Sequence, residues 1–201
     1  MTTYGLLTFE GMEELDLVGP WEVFTASAMA RGDVDTVVTV GEAGPGVALR
    51  CAKGLRITPD HGLDDHPPLD VVLVPGGKGR RAQSTNPVVL DWLKGVSATA
   101  TWTTSVCTGA FVLHAAGLVS GKRVATHWGS EDELASHGDV TVVRDARFVV
   151  DGDVATSQGV SAGIDMALWL VGALHGVPHA REVRHYIQYD PAPPYLADVP
   201  A

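Results

Sequence analysis

The sequence predicts an α/β three-layer sandwich with a mostly parallel central sheet. Short apolar or β-branched runs alternate with stretches of helical length and character along the first half of the chain. "LDVVLVPGG" (Leu69–Gly77) is a continuous Val/Leu run, the pattern of a strand buried on both faces of a parallel sheet. The run ends in glycines, as does "TTSVCTG" (Thr103–Gly109), so two tight turns fall at predicted strand ends. With 201 residues and 45% apolar content, residues 1–201 are expected to form one domain around one core.

Tyr4–Phe9 reads as the first strand, and Leu17–Ala30 as the first helix, with Pro20 expected in its first turn. Asp33–Gly41 is the next strand, stopped by the turn-rich "GEAGPG". "VALRCAKGLRITPD" reads as a hairpin with Lys53-Gly54 at its tip. After the Leu69–Gly77 strand, "NPVVLDWLKGV" is a helix with Pro87 near its start, and "SATATWTTSV" a buried strand. A helix is expected from about Thr108 to Leu118, then a strand at "KRVATHW". "SEDELASHG" is a short helix in which Ser130 and Glu133 are placed for a capping box and Gly138 for the stop. "DVTVVRDARFVVDGDVATSQG" alternates like antiparallel strands, with turns at Asp145 and Asp151-Gly152. Two helices close the chain, "SAGIDMALWLVGALHG" and "PHAREVRHYIQ", before a Pro-rich tail at about 190–201 that is expected to lie extended over the surface or a partner chain.

The formal charge of -10 argues against a grip on a nucleic-acid backbone, which needs a basic face. Cys51 and Cys107 do not make a disulfide framework, and no basic n-region precedes a long apolar core. No apolar run approaches the roughly 20 residues that span a bilayer. A cytoplasmic protein with no membrane role is the expectation.

Ligands of parallel sheets bind at the carboxyl ends of strands. If the two strands are neighbours, Gly76, Gly77 and Cys107 line one crevice. "Ser-Val-Cys-Thr-Gly" has the small-x-nucleophile-x-small form of a nucleophile elbow, with Ser105 and Gly109 leaving room for close backbone approach. A thiol at a helix N-terminus sees the positive end of the dipole, which favours thiolate. The local pattern fits a small core cysteine equally well. The "PGGKG" loop reads as an anion nest or as an ordinary Gly-rich turn. Asp16 reads as a helix N-cap or as a carboxyl group that exchanges protons in the crevice. Glu13 and Glu14 are expected on the surface. His127 ends a strand and approaches the site, or simply bonds backbone there. His175 and His179 are interrupted by Pro178, so no metal site is read. Cys51 reads as structural, Trp128 as core, and the acidic "EDEL" run as a solvated helix start.

"TTSVCTGAFVLHAAGLVSGKRVATHW", with "LDLVGPWEVF" upstream, "VPGG" between, and "SQGVSAGIDMALWLV" and "QYDPAPPY" downstream, resembles the ThiJ/PfpI superfamily. Within it the chain is most similar to the isonitrile hydratase branch and to the N-terminal domains of AraC-type regulators. The resemblance implies a flavodoxin-like, class I glutamine amidotransferase-like fold, a homodimer, a small-molecule substrate and no cofactor. It implies Cys107 as nucleophile, Asp16 as acid/base partner, Thr108 as a polar contact, and Gly77 with the Thr108 backbone as anion-stabilising donors. Gln158 stands where the hydratase pattern has Gly, close to the expected pocket. Thr108 after Cys107 means there is no Cys-His pair, as protease-like and amidase-like branches have. The implied activity is hydration of an isonitrile to an N-substituted formamide. A glyoxalase or other carbonyl-handling activity, and a ligand- or redox-sensing role without catalysis, remain alternatives.

Overall fold

The Val/Leu run of residues 69–77 lies at the centre of the molecule. In the computed structural model, which describes residues 1–190, its core is strand β5 (Val71–Val74), all four residues fully buried. It pairs in parallel with β1 (Thr3–Leu7) on one side and β6 (Trp102–Val106) on the other. β2 (Thr36–Val40) extends the sheet beyond β1, β10 (Val154–Ser157) beyond β6, and β9 (Phe148–Asp151) closes the far edge. The six-stranded order is β2-β1-β5-β6-β10-β9, and only the β9–β10 pair is antiparallel. Burying each such Val or Leu stabilises the fold by about 1.5–3 kcal/mol.

Helix α1 (Glu14–Ala30) packs with α6 (Ala162–His175) and α7 (Val177–Tyr186) in one layer. The short α2 (Arg80–Gln83), α3 (Pro87–Ser97) and α4 (Ala110–Ala115) form the other, with the sheet between. The ring of Tyr4 stacks on Phe24 at 4.3 Å, locking β1 to α1. The expected hairpin forms from β3 (Leu49–Arg50) and β4 (Arg56–Ile57), and Gly54 at its tip takes the positive φ of 109° that suits glycine.

Several expectations are corrected. Helix α1 begins at Glu14, so Pro20 stands inside it and the Asp16 carbonyl has no i+4 N–H partner. Gly19 and Pro20 are buried against α6, with Gly19 close to Ile164 and Pro20 close to Gly163. The "SATA" segment belongs to the end of α3 and a turn; α3 itself is capped by Asn86, whose side chain accepts from Val88 N. The "KRVATHW" strand shrinks to β7 (Arg123–Val124), and β8 (Thr141–Val142) pairs with it in parallel instead of meandering into β9. Ser130 makes no capping hydrogen bond to α5 (Glu131–Ala135), and the Glu133 side chain that would complete a capping box is turned to Arg80. Trp128 is 76% exposed, not core. Glu131 is buried, with Gln158 and Arg144 as partners. Glu13 and Glu14 are half-buried: Lys53 Nζ pairs with Glu13, and Glu14 Oε1 accepts from Lys53 N at 2.6 Å, tying α1 to the hairpin. The Pro-rich tail falls mostly outside the described residues.

Candidate active site

Register brings the carboxyl ends of three parallel strands together. Val74 of β5 lies opposite Ser105, and Ser157 of β10 opposite Val106. The chain leaving β5 (Pro75-Gly76-Gly77) and the chain leaving β10 (Gln158) therefore flank Cys107. The Cys107 N–H donates to the Gln158 carbonyl at 3.2 Å. The buried Thr126 hydroxyl donates to the Cys107 carbonyl at 2.9 Å.

Held from both sides, Cys107 adopts φ 57°, the left-handed region that non-glycine residues seldom occupy. It opens a single 3-10 turn (Cys107–Gly109) that runs into α4. This is the sharp strand-to-helix turn read from the sequence. The need for a small residue after it is now explicit: a Cβ on Gly109 would sit 2.2 Å from the Val74 carbonyl oxygen.

Asp16, in the first turn of α1, is fully buried and does not cap its helix. Its Oδ2 accepts from Gly76 N at 2.9 Å and its Oδ1 from Val160 N at 3.2 Å. The carboxyl group also lies beside the Cys107 thiol, and each acts on the other's proton. Burial pushes the Asp16 carboxyl up to about 7, against the opposing pull of the Gly76 N–H; the Glu13 charge pushes the same way as burial. Burial also pushes the Cys107 thiol up to about 12, with the Asp16 charge adding to it, while the Thr108 N–H and hydroxyl act downward. The expectation that the helix start favours thiolate is thus reversed. The resting pair is a thiol facing a carboxyl group that titrates near neutrality.

Thr108 adjoins Cys107, and its Oγ1 accepts from Gly77 N at 3.0 Å. Gly76 N is spent on Asp16 and Gly77 N on Thr108, so neither glycine presents the cleft with the free donor expected of an anion nest. They build the site from behind. A Cβ on Gly76 would meet Thr108 N at 2.5 Å and Asp16 Oδ2 at 3.0 Å, and Gly77 has φ 106°. The Gln158 amide donates to Glu131 Oε1 at 3.2 Å, so this residue meets Cys107 through its backbone carbonyl, and its side chain is not among those that line the cleft.

His127 lines the cleft, but its Nδ1 accepts from Gly129 N at 3.2 Å as a local cap, and its ring lies against Trp128. The rings of His175 and His179 lie 5.8 Å apart but are bonded to different partners: His175 Nε2 bonds Tyr4 and lies 3.3 Å from Asp35, and His179 Nε2 bonds Ser27. Cys51 is buried, its thiol pushed up to about 11 by burial and by the charges of Glu14, Glu10 and Glu13.

Cys107 and Thr108 form part of the wall of an open cleft of about 650 Å³, bounded by Ala52 and Lys53 of the hairpin and by Lys78, Arg80 and Arg81. Cys107 is only 6% exposed, so a ligand reaches the sulfur through this cleft or not at all. Sequence reading missed Val160. It takes φ 56°, rare for a β-branched residue, and so aims its N–H at Asp16. No local pattern announces this, because its partner lies 144 residues away.

The model of the DJ-1/PfpI family matches residues 4–173. An isonitrile hydratase of Pseudomonas putida is 39% identical over 196 residues, covering 98% of this chain and 82% of that protein. A glutathione-independent glyoxalase of Caenorhabditis elegans is 30% identical over 173 residues, covering 85% and 87%. Among solved structures, a ThiJ/PfpI family protein of Pseudomonas syringae superposes with a TM-score of 0.87 at 31% identity, covering 98% of this chain and 79% of that one.

Proposed function

The chain belongs to the DJ-1/PfpI family, and from that membership and the site's geometry we propose that it is a cysteine-dependent enzyme that hydrates isonitriles to N-substituted formamides. One observation carries the reading: the group set beside the Cys107 thiol is the buried, doubly anchored carboxyl of Asp16, not an imidazole. Acyl transfer develops charge on an oxygen and calls for free donors. Addition of a thiol to an isonitrile instead requires a proton at carbon. The nearby Gly76 and Gly77 N–H groups are occupied, while a carboxyl group able to take and return a proton stands beside the thiol.

Asp16 carboxylate takes the thiol proton as the Cys107 sulfur bonds to the isonitrile carbon, and passes it to that carbon, leaving the thioimidate R–N=CH–S–Cys107. The carboxylate then takes a proton from water, whose oxygen adds to the same carbon while the nitrogen gains the proton. The C–S bond of R–NH–CH(OH)–S–Cys107 breaks as the C=O forms, and the hydroxyl proton returns to sulfur. Thr108 holds the sulfur throughout, and Gly76 and Val160 keep both carboxyl oxygens in place.

The test is formamide production from several alkyl and aryl isonitriles by the purified protein, with Cys107→Ala as control. No formamide, or unchanged turnover by the control, ends the reading. Cys107-dependent lactate from methylglyoxal in its place establishes the carbonyl-handling alternative, and selective oxidation of Cys107 with no turnover the sensing one.

A further inference from the structure

Four cationic side chains, Lys53, Lys78, Arg80 and Arg81, border the cleft that reaches Cys107, in a chain whose net charge is -10. Two are neutralised in place. Lys53 pairs with Glu13, and Arg80 holds both Glu133 oxygens at 2.7 and 2.8 Å while its guanidinium lies 3.7 Å over the Phe111 ring. Lys78 and Arg81 are exposed, and neither has a carboxylate within 4.0 Å among the described residues. Glu13 and Glu133, the carboxylates on the cleft wall, are the two already paired.

We propose that the cleft takes a small electrophile bearing a carboxylate, which Lys78 and Arg81 hold while the reacting carbon faces Cys107. Lys78 directly follows Gly77, whose N–H is bonded to Thr108, and it lines the same cleft as the thiol. Arg81 lies on the same wall and offers the planar fork that matches a carboxylate. With Glu13 and Glu133 paired to Lys53 and Arg80, the wall keeps a positive excess at Lys78 and Arg81, which concentrates ligands of the opposite sign. The inference rests on Cys107 as the reacting atom; within the hydratase reading, the substrate is an isocyano carboxylic acid and the product the corresponding formamido acid.

Two alkylating reagents that differ in charge test this without any turnover. Iodoacetate and iodoacetamide both alkylate thiolate with loss of iodide, and the ratio of their rates cancels the thiolate fraction. Modification of Cys107, separated from Cys51 by peptide mass mapping, is expected to show an iodoacetate-to-iodoacetamide ratio about tenfold above that of a free small thiol. Salt is expected to lower the ratio, and the K78Q/R81Q double variant to bring it to the free-thiol value. A native ratio equal to the free thiol's, or one unchanged by the double variant, overturns the proposal. Should that variant fail to fold, the salt titration of the native protein decides: a ratio indifferent to salt overturns it. A second arm compares isocyanoacetate with its methyl ester, and a higher kcat/KM for the acid is expected. Charge-selective alkylation without formamide from any isonitrile sinks the hydratase reading and keeps this one; formamide production with no charge preference in either arm does the opposite.

Discussion

Asp16 accepts one backbone N–H on each carboxyl oxygen, from Gly76 and from Val160, and these two bonds hold it beside the Cys107 thiol. A carboxyl group so held cannot rotate away from the sulfur, and its only variable is its proton. The pair is therefore a proton switch of fixed geometry. Asp16→Asn keeps the shape but removes the base and leaves one of the two N–H donors facing an NH₂ group. Isonitrile turnover is expected to fall about 10²–10⁴-fold, the usual range for loss of a general base. Steady-state kinetics on the purified variant, with circular dichroism to confirm the fold, check this.

The pH profile follows from the same pair. Asp16 must be ionised to take the thiol proton, and its carboxyl is pushed up to about 7. Native kcat/KM is expected to rise with pH and level off above about 7, with no fall until far above neutrality because the thiol is pushed up to about 12. A profile falling between pH 6 and 8 contradicts the assignment of Asp16 as base.

Stability should run the other way. The folded state binds the Asp16 proton more tightly than the unfolded chain, whose value is near 3.8, so stability falls as pH rises from about 4 to about 7. A carboxyl shifted over that window costs the folded state roughly 4 kcal/mol once both states are ionised. Urea unfolding of native protein and Asp16→Asn at pH 5 and pH 8 reads the difference. The variant's stability relative to native is expected to improve at the higher pH.

Thr126 anchors the strained turn by donating to the Cys107 carbonyl. Thr126→Val preserves shape and leaves that carbonyl without its hydroxyl donor. A loss of about 1–3 kcal/mol is expected, together with faster alkylation of Cys107 as the turn loosens. Chemical denaturation and iodoacetamide kinetics on the same sample measure both.

Gly76→Ala tests how tightly the two loops approach. The added methyl would lie 2.5 Å from Thr108 N, and neither the backbone nor the buried Asp16 can yield without moving the sulfur's partners. A destabilisation of about 1–3 kcal/mol and loss of most turnover are expected.

The Leu69–Gly77 run was legible because continuous apolar β-branched sequence admits few environments, and the "SVCTG" turn because its small residues mark a close backbone approach. The hairpin tip was legible through Lys53-Gly54. Asp16 was only half legible: at a helix start, a capping carboxylate and one aimed into a crevice look alike, and the distinction lies in Gly76 and Val160, remote in sequence. The roles of the Gly76 and Gly77 N–H groups were misread for a related reason, since whether a donor is free depends on which side chains, here Asp16 and Thr108, arrive from other elements. Trp128 and Glu131 exchanged their expected environments because composition near a turn does not reveal which side chain faces inward.

Val160 reaches Asp16 across 144 residues of chain and Gly76 across 60. Such a centre has no local precursor: a growing chain holds the sulfur well before the stretch that carries Val160 exists. Alkylation of this one thiol can thus serve as a gauge of completed folding, rapid in partial products where the sulfur is open to solvent and suppressed once the stretches carrying Asp16 and Val160 have met around it.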